Sequence, residues 1–138
     1  METKTSVLLD SSVIISFYND KDQNHQKAIN LSKELFDGTK TILISDYIFD
    51  ECITVILQKE DINKAIKLGE YLLNSQIVDL RINESTLEFA WEYFKTKNPG
   101  KLSFTDCVNI ACLNLLNIDY LATFDKEFSK VRGIRVIS

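Results

Sequence analysis

Four acids far apart in the chain are the residues whose types and settings could do chemistry: Asp10, Glu51, Asp106 and Asp125. Asp10 ends the apolar run Val7-Leu8-Leu9 and is followed by Ser11-Ser12. Glu51 lies beyond Ser45, Asp106 follows Ser103 by three residues, and Asp125 closes Leu121-Ala122-Thr123-Phe124-Asp125. Two unit charges about 5 Å apart repel by about 3 kcal/mol at an effective dielectric of about 20. A pocket that gathers several carboxylates must therefore protonate them or take up a cation. Oxygen-only ligands favour Mg²⁺ or Mn²⁺, which bind through a few carboxylates and keep room for substrate phosphate. Such an ion makes water a better nucleophile, and the matching reaction is phosphodiester hydrolysis.

Each acid also has a plainer reading. Asp10 could cap the following helix. Asp106 could complete a capping-box variant with Ser103 and lie favourably on the helix dipole. Asp125 could be a turn or cap residue. Glu51 could face solvent, although Phe49, Cys52 and Ile53 crowd it inward. Asp46 and Asp50 read as helix-start charges and Glu127 as an exposed acid. The sequence leaves open whether Asp50 or Glu127 joins the site. The four point to a site as a set and not singly.

The elements that must position them alternate. Strands are expected at about 6–9, 41–44, 77–80, 119–122 and 134–137. Between them, helices are expected at 11–18 and 23–36, after Ser45, around Ile62–Leu73, around Leu87–Phe94, and after Ser103. The fourth of these carries an apolar face of Ile62, Ala65, Ile66, Gly69 and Leu73, and the fifth a stripe of Leu87, Ala90, Trp91 and Phe94. The sixth, with Val108, Ile110, Ala111, Cys112, Leu113, Leu115 and Leu116, is apolar nearly all round and reads as buried. Strands alternating with helices imply right-handed crossovers. The expected fold class is a three-layer α/β/α sandwich with a mostly parallel central sheet of four to five strands. The strand ends and the helix starts that follow them share one edge, where ligands bind in such sheets.

The 138 residues suit a single domain, 1–138, with 45% hydrophobic and 26% charged residues. A formal charge of −4 argues against a strongly basic nucleic-acid wrapper but not against a local basic edge. Cys52, Cys107 and Cys112 match no zinc spacing and read as small core residues. With no signal peptide in view, they point to a reducing, cytoplasmic setting. No apolar run approaches the roughly 20 residues of a membrane span.

His25 is the only histidine, so a two-histidine mechanism is not available within one chain; it reads as a packing or capping residue. Lys95, Lys97 and Lys101 fall in a polar loop before the Asp106 helix; together they are candidates for contacts to a phosphate backbone, while for any one of them a solvated loop is the plainer reading. Arg132 and Arg135 carry the same ambiguity. Trp91 and Phe94 read as core and not as base-stacking platforms. No phosphate-binding glycine loop, dinucleotide fingerprint or nucleophile elbow is present.

Five stretches in order, Leu9-Asp10-Ser11-Ser12, His25-Gln26-Lys27-Ala28, Ser45 with Glu51, Leu102-Ser103-Phe104-Thr105-Asp106, and Thr123-Phe124-Asp125-Lys126-Glu127-Phe128, resemble those of the PIN-domain nucleases, in particular the VapC-like toxin ribonucleases. The resemblance spans nearly the whole chain. It implies a parallel α/β/α sandwich and Mg²⁺- or Mn²⁺-dependent cleavage of single-stranded RNA, leaving 5′-phosphate and 3′-hydroxyl ends. Asp10, Glu51, Asp106 and Asp125 then match the family's acidic quartet. Ser12 and Thr123 match its supporting hydroxyls. A homodimer and an inhibitory antitoxin partner are also implied.

Three other readings compete. A PIN-like module could hold RNA or protein without cutting, but such a site would be expected to have lost an acid. A phosphoacceptor domain would want adjacent acids after the first strand. An aspartyl phosphatase would want an acid at position 12, where Ser12 stands.

Overall fold

The computed structural model describes residues 4–138. Five strands form one sheet: β1 (Thr5–Leu9), β2 (Lys40–Ser45), β3 (Val78–Leu80), β4 (Tyr120–Ala122) and β5 (Val136–Ile137). Their order is β3-β2-β1-β4-β5, and all four pairings are parallel. The chain runs outward from β1 through β2 and β3, then crosses back to place β4 on the other side of β1. The β1/β4 seam is therefore the topological switch point, where a parallel sheet opens a crevice at its carboxyl ends.

The helices are α1 (Ser11–Tyr18), α2 (His25–Leu35), α3 (Asp46–Lys59), α4 (Ile62–Asn74), α5 (Glu84–Thr96) and α6 (Phe104–Leu115). Side chains of β1 alternate across the sheet, as the strand's period of two requires. Val7 and Leu9 join the core with Ile14, Leu31, Ile48, Ile56 and Leu68, under α1 to α4. Leu8 joins Val108, Ile110, Leu121 and Phe128 on the other face, with α5 and α6. Both faces are covered, which is why the central strand is continuously apolar.

Four expectations are corrected. In α4 the buried residues are Ala65, Leu68, Gly69 and Leu72, whereas Ile66 and Leu73 are 50% and 60% exposed. The small pair Ala65 and Gly69 lets α4 approach α3 closely: a Cβ at Gly69 would stand 3.3 Å from Ile53 Cδ1. Leu115 and Leu116, at the end of α6, are exposed while the turns from Cys107 to Leu113 are buried. Trp91 and Phe94 are not core: they are 52% and 36% exposed, stacked on each other, with both rings edge-on to Phe104. Lys95 belongs to α5 and not to the loop, and its ammonium pairs with Glu92 at 3.2 Å. Unforeseen is a short 3-10 helix, Lys126–Lys130, which anchors through Phe128 at 1% exposure.

The three cysteines are free and buried, and burial pushes the Cys107 and Cys112 thiols up to about 11. His25 donates from Nδ1 to the Ser16 carbonyl oxygen at 2.9 Å, tying α2 to α1.

Candidate active site

Asp10 is the residue immediately after β1, at the switch point. Its backbone N–H donates to the Ala122 carbonyl at 2.9 Å, one last rung of the β1/β4 pairing. Its side chain makes no hydrogen bond that would cap α1. Instead three donors from separate segments converge on it. Thr123 Oγ1 donates to Oδ2 at 2.7 Å, Ser12 Oγ donates to Oδ2 at 2.9 Å, and Asn109 Nδ2 donates to Oδ1 at 3.2 Å. Asp10 is 4% exposed, Thr123 1% and Asn109 0%.

Both hydroxyls are themselves held. Ser12 Oγ accepts from the Phe124 N–H at 3.0 Å, and Thr123 Oγ1 accepts from the Asp125 N–H at 3.0 Å. A carboxylate has about four lone-pair sites; two of these donors fall on Oδ2 and one on Oδ1, so Oδ1 is the less committed oxygen.

The other three acids sit on three further elements, and each is coupled to Asp10 by charge. Asp106 lies in the first turn of α6. Its Oδ2 accepts from the Ser103 N–H at 2.9 Å, and its own N–H donates to Ser103 Oγ at 3.1 Å, completing a reciprocal capping box. The plainer reading of Asp106 is thus fulfilled, yet one carboxylate oxygen remains uncommitted to the box. Asp125 Oδ1 accepts from the Glu127 N–H at 2.9 Å and caps the 3-10 helix. Glu51, on the second turn of α3, is half-buried, while Asp50 beside it is exposed. Glu127 reaches toward Lys130 at 3.5 Å.

Electrostatics tie the four together. Burial pushes the Asp10 carboxyl up from the ordinary range, against the pull of the Thr123 and Ser12 hydrogen bonds, and the charge on Asp125 adds to the rise. Burial also raises Glu51; the Ser11 side chain pulls it back, and the charges of Asp10 and Asp50 raise it further. Asp106 is pushed up to about 6, first by burial and then, against the Ser103 hydrogen bonds, by the charges of Asp10 and Asp125. Among the described residues none of the four is in an ion pair with Lys, Arg or His. The negative charge is therefore left without a protein counter-ion.

A divalent ion fits this donor set chemically. The candidate donors are hard, anionic oxygens, and neighbouring charges add to the raised proton affinity of Asp10, Glu51 and Asp106 in the absence of a cation. Among the described residues no group of three or more His, Cys, Asp or Glu side chains is already arranged to hold a metal. The mutual electrostatics, and not ready-made coordination, carry the fit.

A stability consequence follows. A carboxyl raised in the folded state contributes stability below the ordinary carboxylate range and loses it as the pH rises through its folded value. For Asp106 that loss centres on about pH 6, and Asp10 and Glu51 act in the same direction. The metal-free protein should therefore show a Tm higher by a few degrees at pH 5 than at pH 7. Thermal melts at the two pH values with chelator check this, and a lower Tm at pH 5 would refute it.

Asn109 is the site residue that the sequence reading missed. It is polar in the otherwise apolar stretch Cys107-Val108-Asn109-Ile110-Ala111-Cys112-Leu113, one turn beyond Asp106. That spacing places both on one side of α6, and it was the available signal.

The PIN domain family model matches residues 7–134. No curated protein sequence matches the chain. Solved structures do match in fold. VapC20 of Mycobacterium tuberculosis, described as a sarcin-ricin loop cleaving toxin, superposes with a TM-score of 0.81 at 20% identity, over 89% of this chain and 92% of that one. VapBC2 of Rickettsia felis, bound to a DNA fragment from its promoter, gives 0.70 at 12% identity over 96% and 98%. A toxin–antitoxin complex from Klebsiella pneumoniae gives 0.64 at 15% identity over 96% of each chain. With a family model covering all but the two ends and Asp10 at the switch point of its sheet, the chain belongs to the PIN-domain family.

Proposed function

We propose that this protein is a divalent-metal-dependent endoribonuclease that hydrolyses phosphodiester bonds of single-stranded RNA, acting as the toxin of a toxin–antitoxin pair. The observation that carries it is the buried Asp10 carboxylate, held by three neutral donors, coupled by charge to Asp125, Asp106 and Glu51, and without a cationic partner among the described residues.

Asp10, Glu51, Asp106 and Asp125 would hold Mg²⁺ or Mn²⁺. When bound, the ion supplies charge neutralisation at the scissile phosphate and an acidified water. The chain's own residues do the rest. Thr123 and Ser12 hold Asp10 in one orientation, and their backbone donors fix the hydroxyl protons toward it. Asp106, held by the capping box through one oxygen, keeps the other oxygen to offer the ion.

The substrate class is supported by the surface beside Asp106. Trp91 and Phe94 expose stacked rings next to Phe104, which lies two residues before Asp106. Unpaired bases stack on such faces. Lys97 and Lys101 are exposed in the segment between α5 and α6 that leads to Asp106. Replacing both lysines with alanine should raise KM while sparing kcat. The salt dependence of binding should flatten, its slope falling by about 0.7 for each phosphate the protein no longer neutralises. An unchanged slope would remove them from the RNA path.

A protein partner is supported by the other face. An apolar hollow of about 330 Å³ between α1, α2 and α4 is lined by Val13, Ile14, Phe17, Phe36, Tyr71 and Leu72. Phe17, Phe36 and Tyr71 are 39%, 48% and 51% exposed. Covering such a surface is what an antitoxin segment would do. The homodimer belongs to this proposal through the family resemblance.

The test is incubation with end-labelled single-stranded RNA in Mn²⁺, with and without chelator. Cleavage only with the ion supports the proposal. Cleavage that survives chelation refutes it. No cleavage on any RNA, with RNA still bound, would favour the non-cutting PIN-like binding module.

A further inference from the structure

Asn109 is an expensive residue to keep where it stands. It is fully buried, and its Oδ1 finds no hydrogen-bond partner among the described residues. An unpaired buried carbonyl destabilises a fold, and an apolar side chain of similar shape would avoid that cost. Every neighbour along α6 from Cys107 to Leu113 is of that apolar kind. The amide's one hydrogen bond is Nδ2 to Asp10 Oδ1 at 3.2 Å.

The amide orientation is not arbitrary. Turned over, Oδ1 would face an acceptor oxygen; as it stands, the donor end meets Asp10 and the acceptor is left stranded. The third donor also differs in kind from the other two. Thr123 and Ser12 both donate to Oδ2, so neither supplies a donor to Oδ1. Asn109 alone fixes Oδ1, the less committed oxygen, and it does so from the helix that carries Asp106.

We propose that Asn109 is a positioning residue of the acidic site, holding Asp10 Oδ1 in the orientation that receives a divalent ion and fixing α6, with Asp106, against the β1 end. This rests on the divalent-ion reading above. Partners that orient a ligating carboxylate are worth about 10- to 100-fold in metal affinity. A purely structural polar residue would affect folding and leave metal affinity alone.

The experiment compares wild type with Asn109→Leu, close in shape and apolar, and Asn109→Ser, which stays polar but is too short to reach Asp10. Mn²⁺ binding to the metal-free chain is measured by titration calorimetry, and Tm is measured with chelator. The expected result is Mn²⁺ affinity weakened about 10- to 100-fold in both variants, with the Tm of Asn109→Leu equal to or above wild type. Mn²⁺ affinity within twofold of wild type in both variants overturns the proposal and leaves the divalent-ion reading standing. Failure of both variants to fold also overturns it, because Asn109 would then be a structural residue. Absence of Mn²⁺ binding by wild type ends the divalent-ion reading and this proposal together.

Discussion

Asp10→Asn is expected to lower Mn²⁺-dependent cleavage of single-stranded RNA by on the order of 10³-fold, while the metal-free protein melts no lower than wild type. The first effect comes from losing one anionic ligand at the centre of the site. Several kcal/mol of transition-state stabilisation depend on the ion, and each 1.36 kcal/mol is tenfold in rate. The second effect comes from charge and hydrogen-bond accounting. The introduced carbonyl keeps the position of Oδ2 and accepts from Thr123 and Ser12 as before. The introduced NH₂ then faces Asn109, whose amide turns over and accepts with its stranded Oδ1. A buried charge disappears, while the turned amide pairs its carbonyl and leaves its NH₂ unpaired in exchange, so the stability gain comes from removing the charge. Steady-state cleavage and a chelated melt check both halves. Wild-type activity in a folded Asp10→Asn protein would show that Asp10 is not at the chemistry.

Asp106 permits a sharper separation, because it serves the helix and the site with one carboxyl. Asp106→Asn retains an oxygen for the Ser103 N–H and so keeps the capping box; Asp106→Ala removes it. Both substitutions should reduce cleavage by on the order of 10²- to 10³-fold. They should differ from each other in stability by the value of the cap, about 0.5–2 kcal/mol, or roughly 2–7 °C for a chain of this size. Both should also flatten the rise in Tm between pH 7 and pH 5, since Asp106 is the acid held near pH 6. Measured activity, Tm at two pH values, and the Asn-to-Ala comparison together isolate the functional role from the capping role. Full activity in Asp106→Asn would reduce Asp106 to a capping residue.

Much of the framework was legible because the sequence states it twice over. Val7-Leu8-Leu9 before an acid reads as a strand buried on both faces, and Ser103 with Asp106 reads as a helix start. The strand–helix alternation implied the parallel order, and that order brings Asp10 beside Thr123. What failed was the choice between overlapping stripes. In α5, Ala90 and Trp91 both fit a helical stripe, but Thr86 and Ala90 are what α5 buries, and the larger rings ride alongside. In α4, Ile62, Ile66 and Leu73 compete with Ala65, Leu68, Gly69 and Leu72, and small side chains won because they let the helix come close to α3. Periodicity names a face of each helix; packing against its neighbour decides how far that face is turned.

The site shows a similar division. Residue types pointed to the four acids, and burial separated Glu51 from Asp50, a distinction that two adjacent acids in a helix cannot make by themselves. Asn109 escaped because an amide inside an apolar helix has no chemical signature of its own. Its meaning comes from Asp10, 99 residues away in the chain.

The central claim is that these carboxylates form one divalent-ion site at the β1/β4 switch point. Crystals grown with Mn²⁺ and measured on both sides of the manganese absorption edge test it most directly. An anomalous peak bounded by Asp10 and Asp106 is the expected result. A peak away from these residues, or none at saturating Mn²⁺, would contradict it.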